Sequence, residues 1–142
     1  MRKKNYAHLI HGAVILAAVV LSACVVTRQE RAAQAQSVWV YAVEDGVNHI
    51  LSFYKDGTFV LEQVRTAGDA QNRAAMLRGL YTGRAGTDSV IEFTAVMQCI
   101  VPGDPDSPWV DVTEQFAAEG LLTGIYADGE LIVLGGTPFT EQ

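Results

Sequence analysis

The residue best suited to a chemical modification is Cys24, which follows Leu21, Ser22 and Ala23. The small side chains of Ser22 and Ala23 let an enzyme approach the backbone closely. The Cys24 thiol is the only nucleophile in this segment that can form a thioether. These residue types suit a segment that an enzyme can reach, with Cys24 as its reactive group.

The residues before Cys24 have the order of a secretion signal. Arg2, Lys3 and Lys4 come first, an apolar run begins at about Gly12, and small residues follow. A charged start, an apolar core and a small-residue end are typical of a cleaved signal peptide. The strongly apolar part is shorter than the ~20 residues of a membrane-spanning helix. We therefore predict a signal peptide over residues 1–23 rather than a permanent transmembrane anchor.

The segment Leu21-Ser22-Ala23-Cys24 resembles the lipobox of bacterial lipoprotein precursors. The resemblance implies diacylglycerol on Cys24, cleavage before it and further acylation, for example by palmitate. A single acyl chain binds a membrane only marginally, so several chains make such an anchor stable. Val25 stands where an aspartate often retains lipoproteins in the inner membrane, which favours the outer membrane, facing the periplasm, in a cell with two membranes. The alternative is a cleaved signal peptide without lipid.

The rest of the chain contains little that could catalyse a reaction. His49 is the only histidine after Cys24, which excludes mechanisms that need a histidine pair and zinc sites with several histidines. It shares strand parity with Leu51 and Phe53, so it should point inward near a barrel end, either as a packed or rim residue or in the lining of a ligand pocket. None of the serines lies in a Gly-x-Ser-x-Gly elbow. We predict no catalytic residue and no cofactor.

Two further groups have structural explanations. Cys99 shares parity with Ile91 and Phe93, which predicts an inward-facing thiol that behaves as a small apolar group. Asp104, Asp106 and Asp111 offer oxygens for calcium, but the segment contains prolines and lacks the glycine and terminal glutamate of a calcium-binding loop. We predict solvated carboxylates there and no metal site.

The charge of the processed chain limits its partners. All sixteen acidic residues follow Cys24, whereas three of the ten basic residues precede it, which leaves a net charge of 7 − 16 = −9. Nucleic-acid binding requires a basic surface, so this class of partner is excluded. No polybasic patch follows Cys24 to dock the domain on an anionic leaflet. The membrane is therefore expected as a partner only through the lipid.

The chain beyond Cys24 divides into a polar, alanine-rich tether over residues 24–36 and one domain over residues 37–142. Asp56-Gly57 and Asp128-Gly129 lie between apolar runs, which predicts antiparallel hairpins with type I′ turns. Residues 69–79 have an Asp cap and helix-forming residues, which predicts one or two helical turns or an irregular loop. Strands are predicted at residues 38–43, 49–55, 58–65, 78–83, 89–101, 110–116, 121–127 and 130–134. So many short strands bury their edges most simply by closing into a barrel, with an open β-sandwich as the alternative.

Three segments are similar to small bacterial lipocalin-like domains. They are the aromatic-rich strand into Asp56-Gly57-Thr58, the Gly79-Leu80-Tyr81 strand, and the hairpin at Asp128-Gly129. The resemblance implies an antiparallel up-and-down β-barrel of about eight strands with an internal cavity. The family often opens with a Gly-x-Trp motif. This chain departs from that pattern, because Ser37 stands two residues before Trp39 in place of the glycine.

These observations give three hypotheses for the function. The first is a non-catalytic lipoprotein of the cell envelope whose barrel binds a small hydrophobic ligand or an envelope protein. The second is a structural, assembly or inhibitor accessory with a packed barrel. The third is an envelope hydrolase that uses His49. An internal cavity large enough for a ligand would favour the first, and an interior filled by side chains would favour the second.

Overall fold

The computed structural model describes residues 35–142, and these residues form an all-β domain with one short helix. The predicted signal peptide, the cleavage site at Ala23 and Cys24, and the tether up to residue 34 lie outside the described residues. The first strand begins at Ala35, two residues before the predicted start of the domain. The strands are β1 (Ala35–Glu44), β2 (Val47–Tyr54), β3 (Thr58–Ala67), β4 (Ala70–Thr82), β5 (Val90–Cys99), β6 (Trp109–Asp111), β7 (Thr123–Ala127), β8 (Glu130–Val133) and β9 (Thr137–Glu141), and helix α1 (Thr113–Ala118) lies between β6 and β7.

Eight of the strands form a closed ring in which every neighbouring pair is antiparallel. The order is β1-β2-β3-β4-β5-β7-β8-β9, and β9 pairs back onto β1. β6 stands outside this ring and pairs with the carboxyl end of β5. The predicted antiparallel meander that closes with about eight strands is therefore confirmed. No helix among residues 35–142 is long and apolar enough to span a membrane.

Alternating residues of each strand point into the ring and form a single core. Trp39, Phe53, Leu131 and Phe139 are at most 1 % exposed. Aromatic rings meet across the interior, with Phe59 and Phe93 at 4.7 Å between ring centroids. Large side chains from opposite strands therefore fill the centre of the ring.

The two predicted Asp-Gly hairpins differ in their turns. Asp128 and Gly129 have φ angles of 53° and 84°, which confirms the type I′ turn between β7 and β8. In the β2–β3 connection only Gly57 has a positive φ, so this turn is not type I′. Its Asp56 Oδ1 accepts hydrogen bonds from the Thr58 amide at 3.0 Å and the Thr58 hydroxyl at 2.6 Å. The side chain thus supports a wider turn.

The predicted helical turns or loop over residues 69–79 are wrong, because this segment belongs to β4. A tight turn at Gly68 and Asp69 pairs Ala67 with Ala70, and the pairing with β3 continues along β4 to Leu80. Alanine and arginine favour helix in isolation. The ladder of hydrogen bonds to β3 outweighs that weak preference here.

The chain after β5 also departs from the predicted strands. Residues 110–116 were expected to be one strand, but β6 ends at Asp111 and α1 begins at Thr113. The Asp111 carboxylate accepts a hydrogen bond from the Thr113 amide at 2.9 Å, which turns the chain out of the strand. β9 was not predicted at all, although it closes the ring between β8 and β1.

Candidate functional site

A small apolar hollow lies in the interior of the ring beneath α1. Its volume, measured as the space in which the centre of a water molecule could lie, is about 10 Å³. That is about the minimum for one water, and no polar group lines the hollow to hold it. The lining side chains are Leu51, Phe59, Leu61, Leu77, Phe93, Val96, Phe116 and Leu134.

His49 does not line this hollow. It lies on the inward parity of β2, where it is opposite Tyr41 on one side and Gln63 on the other. Its ring centroid is 6.3 Å from that of Tyr41. Partial burial lowers the pKa of His49, because burial disfavours the charged imidazolium. These contacts fit the packed histidine weighed in the sequence analysis and do not place His49 in a ligand pocket.

Cys99 is buried, but it does not face the core as its parity predicted. Tyr81 pairs with Phe93 and Leu80 with Ala95, so a bulge in β5 adds one residue and reverses the faces beyond it. Cys99 is consequently absent from the core cluster and lies opposite Trp109 of β6. The guanidinium carbon of Arg78 lies 4.1 Å from the centre of the Trp109 ring. The thiol is thus buried at the outer face, next to β6.

The acidic loop before α1 uses its carboxylates to fix turns. Asp104 Oδ1 accepts a hydrogen bond from the Asp106 amide at 2.9 Å. Asp111 Oδ1 accepts from the hydroxyl of Thr113 at 2.6 Å as well as from its amide, and these bonds lower the pKa of Asp111. Within the part of the chain that the structure describes, no group of three or more histidine, cysteine, aspartate and glutamate side chains is placed to hold a metal ion.

Charge is distributed very unevenly over the ring. Residues 35–84, which include β1 to β4, carry five basic and five acidic residues and have a net charge of 5 − 5 = 0. Residues 85–142, which include β5 to β9 and α1, carry ten acidic residues and no lysine, arginine or histidine, so their net charge is −10. We call these segments the neutral half and the acidic half. The asymmetry is visible in the sequence, but it becomes a surface only because each half contributes consecutive neighbours to the ring.

An apolar row crosses the outer face of the acidic half. Val90 pairs with Ile125, Ile125 with Ile132, and Ile132 with Pro138, so the row runs over β5, β7, β8 and β9. The neighbours of these residues along each strand, such as Ile91, Leu131 and Phe139, are buried in the core. The row therefore points away from the interior, and Val90 and Ile125 are 46 % and 51 % exposed.

Carboxylates border the apolar row on both sides. Glu92 lies two residues from Val90 on β5, where it pairs with Thr123. Glu130 lies two residues from Ile132 on β8, where it pairs with Ala127 and Thr140. Strand alternation places both glutamates on the same outer face as the row. Both are exposed.

Together the row and its border form a sheet face that no other element of residues 35–142 covers, apolar along its centre and anionic at its margins. Sequence reasoning did not find it, because Val90, Ile125, Ile132 and Pro138 become neighbours only through strand register. Comparison of the chain with protein-family profiles, with curated proteins and with solved structures finds no match.

Proposed function

We propose that this protein is a non-enzymatic lipoprotein of the cell envelope that acts by presenting the outer surface of its domain to a protein partner. The observation that carries the proposal is the filled interior, where core side chains leave only about 10 Å³ in the apolar hollow beneath α1. A protein built in this way interacts through its exterior. This proposal agrees with the second hypothesis of the sequence analysis, an accessory protein with a packed barrel. It also agrees with the version of the first hypothesis in which the domain binds an envelope protein.

The size of the hollow argues against a lipid-like ligand in the interior. Pockets that take small molecules usually have volumes of about 300–1,000 Å³. A ring of eight strands is just wide enough for its own side chains to fill the interior. Here Phe116 and Leu134 close the space beneath α1, as part of the lining of the hollow. Opening a ligand site would require several of these side chains to move together.

The anchor completes the proposal. Acyl chains on Cys24 would hold the protein at a membrane, with the outer membrane favoured in a cell that has two. Residues 24–34 would span at most about 40 Å if fully extended, at ~3.3–3.6 Å per residue. The domain could then meet a partner at the membrane surface or at a short distance from it.

The anchor is tested by metabolic labelling with palmitate. The wild-type chain should incorporate label and fractionate with membranes, and a Cys24→Ser variant should lose both properties. An unlabelled wild type, or a variant that is processed and fractionated like the wild type, would overturn the lipid anchor.

The mode of action is tested by native mass spectrometry of protein extracted from its own membrane. The expected mass is that of the acylated chain, either alone or with a protein partner. A small hydrophobic molecule that is retained in stoichiometric amount and released on unfolding would overturn the proposal, because it would show that the interior opens for a ligand.

A further inference from the structure

We propose that the apolar row and its bordering carboxylates are the docking surface for a cationic, partly apolar segment of the partner protein. The inference rests on the proposed function, since it presumes that the partner is a protein. It goes further in naming the surface, formed by β5, β7, β8 and β9, and the chemistry that this surface recognises.

The shape of the surface suits an extended segment or the side of a helix. Adjacent strands are spaced by ~4.8 Å, so a row over four strands extends about 14 Å. The row runs across the strands, and the half-exposed Val90 and Ile125 lie at its β5 end. Contact with a partner would remove their apolar surface from water, which is favourable in proportion to the area buried.

Charge selects the class of occupant. A second copy of this chain that docked through the same face would bring its own Glu92 and Glu130 against these carboxylates, and one that docked through its neutral half would bring no net positive charge. Anionic lipid headgroups and nucleic acid would be repelled for the same reason. A polypeptide with lysine or arginine beside apolar side chains is attracted, because the field of the acidic half steers it and Glu92 and Glu130 can accept its charged hydrogen bonds.

The neutral half makes this arrangement specific to one side of the ring. Its acidic residues are matched in number by basic ones, and Glu62 is bound to Arg73 at 3.3 Å. Neither Glu92 nor Glu130 forms an ion pair with another side chain of residues 35–142. Their charges are therefore left for an external cation.

A binding measurement with defined probes tests the inference. The lipidated protein is placed in phosphatidylcholine vesicles, with protein-free vesicles as the blank, and titrated with a fluorescent peptide of alternating lysine and leucine or with its glutamate–leucine counterpart. We expect saturable binding of the lysine peptide only, weakened by added salt. The double variant Glu92→Gln, Glu130→Gln should weaken this binding about tenfold.

Matched variants of the neutral half separate docking from general attraction to an acidic protein. Glu44→Gln with Asp69→Asn removes the same number of exposed charges and should change the affinity less than about twofold. Ile125→Thr should weaken binding, and Val43→Thr, which alters an apolar residue of similar exposure, should not. Equal losses from the two double variants, or equal binding of the two peptides, would overturn the inference.

Cross-linking in the cell distinguishes failure of the docking surface from failure of the proposed function. A photoreactive phenylalanine derivative is placed at Ile125 in one strain and at Val43 in another. An adduct from Ile125 with a lysine- or arginine-rich segment, lost in Glu92→Gln, Glu130→Gln, supports the surface. A protein adduct from Val43 alone overturns the surface and leaves the proposed function standing. Absence of an adduct from Ile125 overturns the surface whatever Val43 gives, and a retained stoichiometric lipid overturns the proposed function as well.

Discussion

The neutral half and the acidic half build one core but have very different exteriors. Trp39 of the neutral half meets Tyr126 of the acidic half with ring centroids 5.8 Å apart, and Phe53 stacks with Phe93 at 6.2 Å. The inward positions of both halves are occupied by large apolar side chains. The outward positions of the two halves differ, since the neutral half has no net charge and the acidic half has a net charge of −10. Because the core does not require this asymmetry, we attribute it to what the surface does.

A repeated local motif sharpens the same comparison. Asp56 with Thr58 in the neutral half and Asp111 with Thr113 in the acidic half form the same pair of hydrogen bonds, from a threonine amide and hydroxyl to an aspartate oxygen. Only Thr113 has a further role, because its hydroxyl accepts a hydrogen bond from the Val96 amide at 2.9 Å. That amide lies next to the bulge of β5, where regular pairing is interrupted.

The largest effect is expected from breaking the core that the halves share. Trp39→Ala should lower the free energy of unfolding by about 3–5 kcal/mol, because it removes a fully buried indole at the β1–β9 seam. Urea unfolding followed by circular dichroism and by the fluorescence of the remaining Trp109 measures it. We expect one coincident transition. Separate transitions for the two signals would show that the halves do not share one core.

The two halves also meet where β4 pairs with β5, and mutation at this second junction should lower stability nearly as much. A Cβ atom on Gly79 would overlap the carbonyl oxygen of Ala95 on the opposite strand. Gly79→Ala should therefore cost about 1–3 kcal/mol, since the two backbones must separate. Thr82→Ala, at an exposed position of the same strand, should change stability by less than ~0.5 kcal/mol. Similar stabilities for the two variants in thermal unfolding would contradict the close packing at this seam.

The repeated motif allows a matched test of one hydroxyl group. Thr113→Val should lower stability by about 1–2 kcal/mol, because the Val96 amide in a part-buried site loses its hydrogen-bond acceptor. Thr58→Val, in an exposed turn, should cost less than about half as much. Amide hydrogen exchange at Val96 should rise in the first variant alone. Equal costs would mean that the link from α1 to the bulge does not contribute.

Removing one carboxylate should change the stability of the protein in opposite directions in the two halves. Glu62→Gln should lower stability by about 0.2–1 kcal/mol, because it removes the exposed ion pair with Arg73. Glu92→Gln should raise stability by a few tenths of a kcal/mol, because it reduces repulsion within the acidic half. Added salt should diminish both effects. A loss of stability on Glu92→Gln at low salt would argue against the repulsion inferred for this half.

The smallest effect concerns His49, the only histidine of the described domain. Burial lowers its pKa in the folded protein below the ordinary value of 6.5, so the unfolded chain binds the proton more readily. The contribution of His49 to stability is therefore complete above about pH 6.5 and declines as the pH falls towards its folded pKa. Between about pH 8 and pH 5, wild type should lose more stability than His49→Gln. Equal losses of stability in wild type and His49→Gln, measured by urea unfolding across this pH range, would contradict the lowered pKa of His49.

The fold was predictable where local patterns decide it. Alternation placed Leu51, Phe53 and Phe93 correctly in the core, and Asp128-Gly129 marked a true type I′ hairpin. The second half of β4 was predicted as a strand, but its first half, residues 70–77, was hidden because its helix-forming residues are overridden by pairing with β3. Helix α1 has only six residues, too few to show a helical period.

The candidate site was less predictable than the fold. The lack of basic residues after Arg84 could have been counted from the sequence. The apolar row could not have been predicted from the sequence. Ile125, Ile132 and Pro138 are neighbours only through the register of β7, β8 and β9. The bulge that turned Cys99 away from the core left no mark in the alternation either.

The position of β9 has a consequence for how the protein acquires its structure. The strand that completes the ring is the last one made, and its Thr140 hydroxyl donates to the Val40 carbonyl oxygen across a separation of 100 residues. Until β9 has docked, β1 and β8 each present an unpaired edge. Such edges readily pair with other chains. A partly folded domain should therefore be most vulnerable to aggregation while β9 is still undocked and the ring is open.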